Sequence, residues 1–167
     1  MNLNQLARDI ITQNEYLTLA TLDEKGAPWT CILAYAFDES YSFYFVSLPT
    51  ANHSKHIEQN PTVSFTIFDS HQDFGKGVGL QGTGVTSEIK QDEYDHVSTI
   101  YFSRQYPYGT IHNEFMSGLK KLLDSREYRF YKLTPTKVWI NDPNADTDRR
   151  VKVNLIPLRE NTRNIRS

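Results

Sequence analysis

The stretch Trp29-Thr30-Cys31-Ile32-Leu33-Ala34-Tyr35-Ala36-Phe37 alternates cleanly. Successive strand side chains point to opposite faces, so Trp29, Cys31, Leu33, Tyr35 and Phe37 share one side and Thr30, Ile32, Ala34 and Ala36 the other. Asp38-Glu39-Ser40 supplies turn residues, and the aromatic-rich run Tyr41 to Ser47 follows, so a hairpin is predicted here. Working outward, Tyr16 to Asp23 reads as a strand closed by the turn Asp23-Glu24-Lys25-Gly26. Val63 to Phe68, a long run from about Val78 to Ile89, Tyr128 to Leu133 and Lys137 to Ile140 also read as strands, with Val151 to Leu155 a further candidate.

Helical spacing marks the remainder. Leu3, Leu6, Ala7, Ile10 and Ile11 share a face, with Asn2 as cap and Gln5 three residues later, and this helix should stop near Gln13-Asn14. Pro49 to Gln59 is expected as a short helix, stopped at Asn60 because Pro61 disfavours the α region before it. Tyr94, Val97, Ile100 and Tyr101 stripe one later helix, and Ile111, Phe115, Leu119, Leu122 and Leu123 stripe the next, with Pro107 and Gly109 between them. Five to seven strands joined mostly by short turns point to a mainly β fold. The expected form is an antiparallel barrel of about six strands with peripheral helices, not the regular strand–helix alternation of a parallel sheet. One domain over residues 1–167 is expected, with a polar tail from about 157.

Bulk properties exclude several functions. Eighteen Lys and Arg against 20 Asp and Glu give a net charge of −2, so nothing pulls the whole chain toward nucleic acid or an anionic membrane. Cys31 is the only cysteine, so neither an intrachain disulfide nor a thiolate zinc site is expected. The beginning lacks the basic-then-apolar order of a signal peptide, and no apolar run approaches the ~20 residues of a membrane span. A cytoplasmic protein is the expectation.

Gly77-Val78-Gly79-Leu80-Gln81-Gly82 matches the glycine string of dinucleotide-binding loops. That chemistry needs the string to leave a strand and open a helix, whereas strand-like residues here continue to Ile89. The glycines are expected to mark a bent strand or a close backbone or ligand approach. His53 and His56 lie three apart without a carboxylate or cysteine at metal-ligand spacing, so no metal site is expected. From Arg149 onward, six basic residues face Glu160 alone, and lacking stacking aromatics the segment is expected to be solvated. Arg149 and Arg150 follow the strand bearing Trp139, where they suit an anionic ligand. Pro49-Thr50-Ala51-Asn52-His53-Ser54-Lys55 joins a strand end to a helix start, gathering backbone N–H groups, hydroxyls and two potential cations. Phosphate binding needs those parts together. An ordinary surface helix capped by Thr50 or Asn52 fits the same residues.

Leu17-Thr-Leu-Ala-Thr-Leu22, Pro28-Trp29, Phe43-Tyr-Phe-Val-Ser47, His56-Ile57-Glu58-Gln59-Asn60-Pro61-Thr62-Val63 and Gly82-Thr83-Gly84 stand in an order and spacing that resembles the pyridoxamine 5′-phosphate oxidase-like family of FMN-binding split barrels. The match runs from about Tyr16 to Ile89, with a weaker trace from Tyr128 to Lys152. The resemblance implies a homodimer with FMN in a groove between subunits. The flavin would run along the second strand, here Trp29, Thr30, Cys31 and Ile32. The phosphate would meet Ser47, Thr50, Asn52 and His53. Late contacts from the second subunit map to Trp139 and Arg149. The family's Arg-Lys pair is here Asn52-His53, and its early arginine on the second strand is Thr30, which removes fixed positive charge. Asn144-Ala-Asp-Thr-Asp-Arg-Arg150 stands where true oxidases carry a histidine-containing substrate signature, so poor turnover of pyridoxamine phosphate is expected. Of the aromatic set Trp29, Tyr35, Phe37, Tyr41, Phe43, Tyr44 and Phe45, part must face outward under a helix or a second subunit, and the resemblance implies a subunit. The implied activity is an FMN-dependent oxidoreductase acting on a small-molecule substrate or electron donor, with no residue marked as catalytic. The alternative is a non-catalytic module binding flavin or haem.

Overall fold

A computed structural model describes residues 2–73, 75 and 77–156. The polar tail expected from about 157 lies outside the described residues. Four helices, α1 (Leu3–Gln13), α2 (Asn52–Gln59), α3 (Tyr94–Ser103) and α4 (Asn113–Asp124), accompany eight strands: β1 (Tyr16–Leu22), β2 (Pro28–Ala34), β3 (Ala36–Phe37), β4 (Phe43–Ser47), β5 (Thr62–Phe68), β6 (Gly79–Glu88), β7 (Arg129–Asn141) and β8 (Arg150–Val153). A short 3₁₀ turn (Gln91–Glu93) precedes α3.

All pairings are antiparallel, in the order β2-β1-β5-β6-β7-β4-β3, with β8 added to β7. The two ends of this path, β2 and β3, are consecutive in sequence and separated only by Tyr35. The sheet therefore curls round on itself without closing. Along the gap β2 lies against β4 but is hydrogen-bonded to β1 alone. This is an antiparallel split barrel with helices at its periphery, as the strand pattern predicts.

Alternation builds the interior. Leu17, Leu19, Phe43, Phe45, Phe65, Ile67, Leu80, Leu133 and Ile140 are all essentially inaccessible inside the barrel. At its centre Phe43 meets Tyr35 and Phe65 edge-on, each with ring centroids 5.4 Å apart. Helix α1 closes one end with Ala7, Ile10 and Ile11. Its cap is the expected one: Asn2 Oδ1 accepts the N–H groups of Asn4 and Gln5 at 3.0 and 3.2 Å. A second cluster lies outside the barrel, where Tyr44, Ala36 and Phe130 pack under Val97 and Tyr101 of α3 and Leu119 and Leu123 of α4.

Four local expectations need correction. The alternating run from Trp29 to Phe37 is two strands, because the chain leaves β1 at Ala34 and joins β4 at Ala36. Tyr128 to Leu133 and Lys137 to Ile140 form one 13-residue strand, β7. Thr134-Pro135-Thr136 looked like punctuation, yet it is a bulge: Thr83 pairs with Lys137 and Gly84 with Pro135, leaving Thr136 extra. Gly84 is required there, since a Cβ would come within 2.6 Å of the Thr134 carbonyl oxygen. Helix α2 begins at Asn52, and neither Thr50 nor Asn52 caps it; the cap position is Ala51, without a side-chain hydrogen bond. Finally, Tyr44 is covered by α3 and α4 of its own chain and needs no second subunit.

Candidate functional site

The split is where strand chemistry is left over. A terminal strand carries one row of unpaired N–H and C=O groups, and β2 is such a strand. Trp29 is 44% exposed and Ile32 73%, Thr30 is also exposed, and Cys31 turns partly into the core. Burial pushes the Cys31 thiol up to about 11, so it is a protonated packing residue at neutral pH, not a nucleophile.

Helix α2 packs on β1 and β2 and brings the Ser47–His53 segment to the same gap. Ser47, at the end of β4, places its Oγ 2.6 Å from His53 Nε2 and accepts the Ser54 hydroxyl at 3.3 Å. His56, one turn on, shares a 3.0 Å hydrogen bond with Thr21 Oγ1 of β1. Without a side-chain cap, the first N–H groups of α2 have no local acceptor of that kind, which is the arrangement that receives an anion. Thr50 lies in the turn just before, where Ala51 N–H donates to Leu48 O at 3.1 Å. His53 is half-buried, with its ring edge-on to Phe45 at 6.5 Å. Burial, then the neighbouring His56, holds its pKa below the ordinary 6.5, so the ring is neutral at pH 7.

The structure thus packs β2, which carries Trp29, Thr30, Cys31 and Ile32, against β4, which ends at Ser47, and α2, which begins at Asn52 and His53, with Thr50 in the turn between them. It does not bring Trp139 or Arg149 to them within one chain. Trp139 sits on the part of β7 that pairs with β6 and β8, beyond the Arg129–Leu133 part that pairs with β4. Arg149 is exposed in the turn before β8, where its carbonyl accepts the Asp142 N–H at 2.9 Å. Arg150 is more firmly held, by Gln81 Oε1 at 3.0 Å and by Asp148.

One register relation links the two groups. Ile32 pairs with Thr18, Thr18 with Thr66, Thr66 with Gln81, Gln81 with Trp139, and Trp139 with Lys152. These side chains all point away from the barrel interior. They form one row across an outer face whose neighbours include Thr30, Ala20, Ser64 and Thr83. Sequence reading missed this face, because pairing partners far apart in the chain leave no local signal. It also missed Thr21, and weighed His56 only for metal-ligand spacing; their contact joins a strand to a helix 35 residues away.

The described residues contain no helix long and apolar enough to cross a membrane. Among solved structures, the fold is similar to a protein of unknown function from Agrobacterium tumefaciens (23% identity, TM-score 0.65, covering 83% of this chain and 55% of that one). It is also similar to a heme binding protein from Mycobacterium smegmatis (17%, TM-score 0.71, 91% and 58%). A FAD-binding protein from Mesorhizobium loti gives 19%, TM-score 0.60, and 81% and 91%. This chain therefore spans little more than half the length of the first two. No curated protein matches the chain. The family profile for pyridoxamine 5′-phosphate oxidase aligns with residues 3–142, taking in β1 to β7 and both sides of the split. On that match, the chain belongs to the pyridoxamine 5′-phosphate oxidase family.

Proposed function

We propose that this protein binds FMN as a homodimer and acts as an FMN-dependent oxidoreductase in the cytoplasm. The observation that supports this most is the meeting, at the barrel split, of the free β2 edge with the uncapped start of α2. A planar, hydrogen-bonding ring suits the first, and a phosphate the second. The donor set fits: Ser47, Thr50, Asn52 and His53 offer hydroxyl, amide and imidazole groups beside the first N–H groups of the helix. When bound, the isoalloxazine supplies hydride or electron transfer. The chain's own part is to orient and to exclude water. Trp29 and Ile32, from opposite faces of β2, would hold the ring, and the unpaired backbone of β2 would orient it. Because Trp139 lies on the same outer row as Ile32, a two-fold pairing over that face carries Trp139 and Arg149 toward the β2 edge of the partner. That relation supports a flavin shared between two copies.

A phosphate beside His53 stabilises its charged form, so the pKa, depressed in the free protein, rises on binding. Binding then takes up a proton and tightens as pH falls between the two values. In the free protein the same depression makes stability full above 6.5 and diminishing as pH falls toward the lowered value. Fluorescence titration should find His53→Ala about tenfold weaker for FMN at pH 6, the worth of one charge-assisted hydrogen bond, and little changed at pH 8. Identical pH profiles for the two proteins would remove His53 from the phosphate site.

Haem is the second reading, supported by the likeness to a heme binding protein. At the split the imidazole of His53 could serve as an axial ligand, but its Nε2 is engaged by Ser47 Oγ at 2.6 Å, and this favours flavin. Titration with FMN, FAD and haem separates the readings: FMN should bind most tightly, with one equivalent per chain.

A further inference from the structure

A cavity of about 520 Å³ lies between α2, the end of β6 and the start of β7. Helix and strand periodicity together direct side chains to it. Ser54, Ile57 and Glu58 stand at i, i+3 and i+4 on α2, so they share one helix face. Thr86 and Glu88, two apart on β6, share its inner side and pair with Leu133 and Tyr131 of β7. Pro49, Pro61 and Ile57 supply apolar wall. No Lys, Arg or His lines the cavity, whereas Glu58 and Glu88 both do. None of these residues belongs to the set assigned to flavin or to the outer row.

A second observation, independent of the two carboxylates, concerns Thr86. It is the most deeply buried lining residue, at 0% exposure, and its Oγ1 has no hydrogen-bond partner. Its N–H donates to Pro61 O at 2.8 Å, so only the hydroxyl is orphaned. Buried hydroxyls are nearly always paired, because an unmade bond costs the desolvation of the group. Ser54 does not serve it, since Ser54 Oγ donates to Ser47 Oγ at 3.3 Å. The Glu58 carboxylate has no hydrogen bond or ion pair among the described residues. Glu88 is met by Arg129 Nε at 3.4 Å, so one cation stands against two carboxylates. Burial raises the pKa of the Tyr131 hydroxyl, and Glu88 and Glu58 add to the rise, which places both carboxylates near it.

We infer that this cavity binds a small organic molecule carrying a primary ammonium group on an apolar body. An ammonium brings one positive charge and three donors. Thr86 Oγ1 accepts one of its N–H groups, and Glu58 and Glu88 supply the counter-charge. A quaternary ammonium has no donor for Thr86, and an anion meets two carboxylates on losing its water. A metal ion does not suit the site, because no group of three or more His, Cys, Asp or Glu among the described residues could hold one. The volume is instead that of a small-molecule pocket. Neither the cavity nor its charge depends on flavin at the split.

The test titrates the full chain, with and without FMN, using 2-phenylethylamine and 2-phenylethanol, which share a body and differ in charge at neutral pH. Calorimetry should show saturable binding of the amine and about tenfold weaker binding of the alcohol. Glu58→Gln, at an exposed helix position, should weaken the amine about fivefold and leave the unfolding temperature unchanged. Thr86→Val keeps the shape and removes the orphaned hydroxyl. It should weaken the amine about tenfold, with an unfolding temperature equal to or above the parent, which excludes misfolding as the cause. Equal affinities for amine and alcohol, an amine no weaker on either variant, or no saturation below ~10 mM would overturn the inference. So would competition between the amine and FMN, which would put the amine at the split. A lower unfolding temperature for Thr86→Val would also overturn it, since the hydroxyl would then have a partner in the protein itself. If FMN does not bind while amine binding follows Thr86 and Glu58, the amine site stands and the flavin reading falls.

Discussion

Phe43→Ala is expected to lower the free energy of unfolding by about 3–5 kcal/mol, a large part of what a domain of this size holds in reserve. Phe43 is inaccessible at the barrel centre and meets two other rings edge-on, Tyr35 from the β2–β3 junction and Phe65 from β5. Removing it takes away its buried area and leaves a cavity that three different strands must relax to fill. Stacking preference adds to the loss, since each edge-to-face pair contributes beyond its area. Urea unfolding should show a lower midpoint with an unchanged slope. A loss under about 1 kcal/mol would mean that the barrel interior is not the main core.

The other large effect concerns the outer face. Thr66 is exposed in a single chain and sits in the middle of the row from Ile32 to Lys152. In the proposed dimer this face is covered, so Thr66→Asp buries an unpaired carboxylate on each side of the two-fold axis. Such a charge costs about 3 kcal/mol or more per copy. Dimer dissociation should therefore rise at least ~100-fold, and FMN affinity should fall with it because each site loses Trp139 and Arg149 of its partner. Folding of the isolated chain should change little, since the residue is solvated there. Full retention of the dimer in Thr66→Asp would move the interface to another surface.

Most of the barrel was legible because burial follows period two along its strands. Leu17 to Leu22 and Val63 to Phe68 each declare an inside and an outside. What failed was local continuity. Tyr35 changes the pairing partner of the chain without disturbing the alternation, so β2 and β3 read as one strand. Pro135 disturbs the alternation without ending the pairing, so β7 reads as two. The covering of Tyr44 by α3 and α4 depends on contacts more than fifty residues along the chain, and aromatic content cannot say whether a helix or a subunit supplies the cover. At the site, Ser47 and His53 were legible as a strand end meeting a helix start. Their 2.6 Å contact, and the neutral state that burial imposes on His53, follow from packing alone.

The central claim is a flavin held between two copies of this chain, with the ring along β2 and the phosphate at α2. Sedimentation velocity of the FMN-loaded protein at micromolar concentration, followed at the visible absorbance of oxidised flavin, tests it directly. The account predicts that all bound flavin moves with a species of twice the 19.4 kDa chain mass, and that dilution below the dimer constant releases flavin and monomer together. Flavin travelling with a 19.4 kDa monomer, or remaining free in the presence of intact dimer, would contradict it.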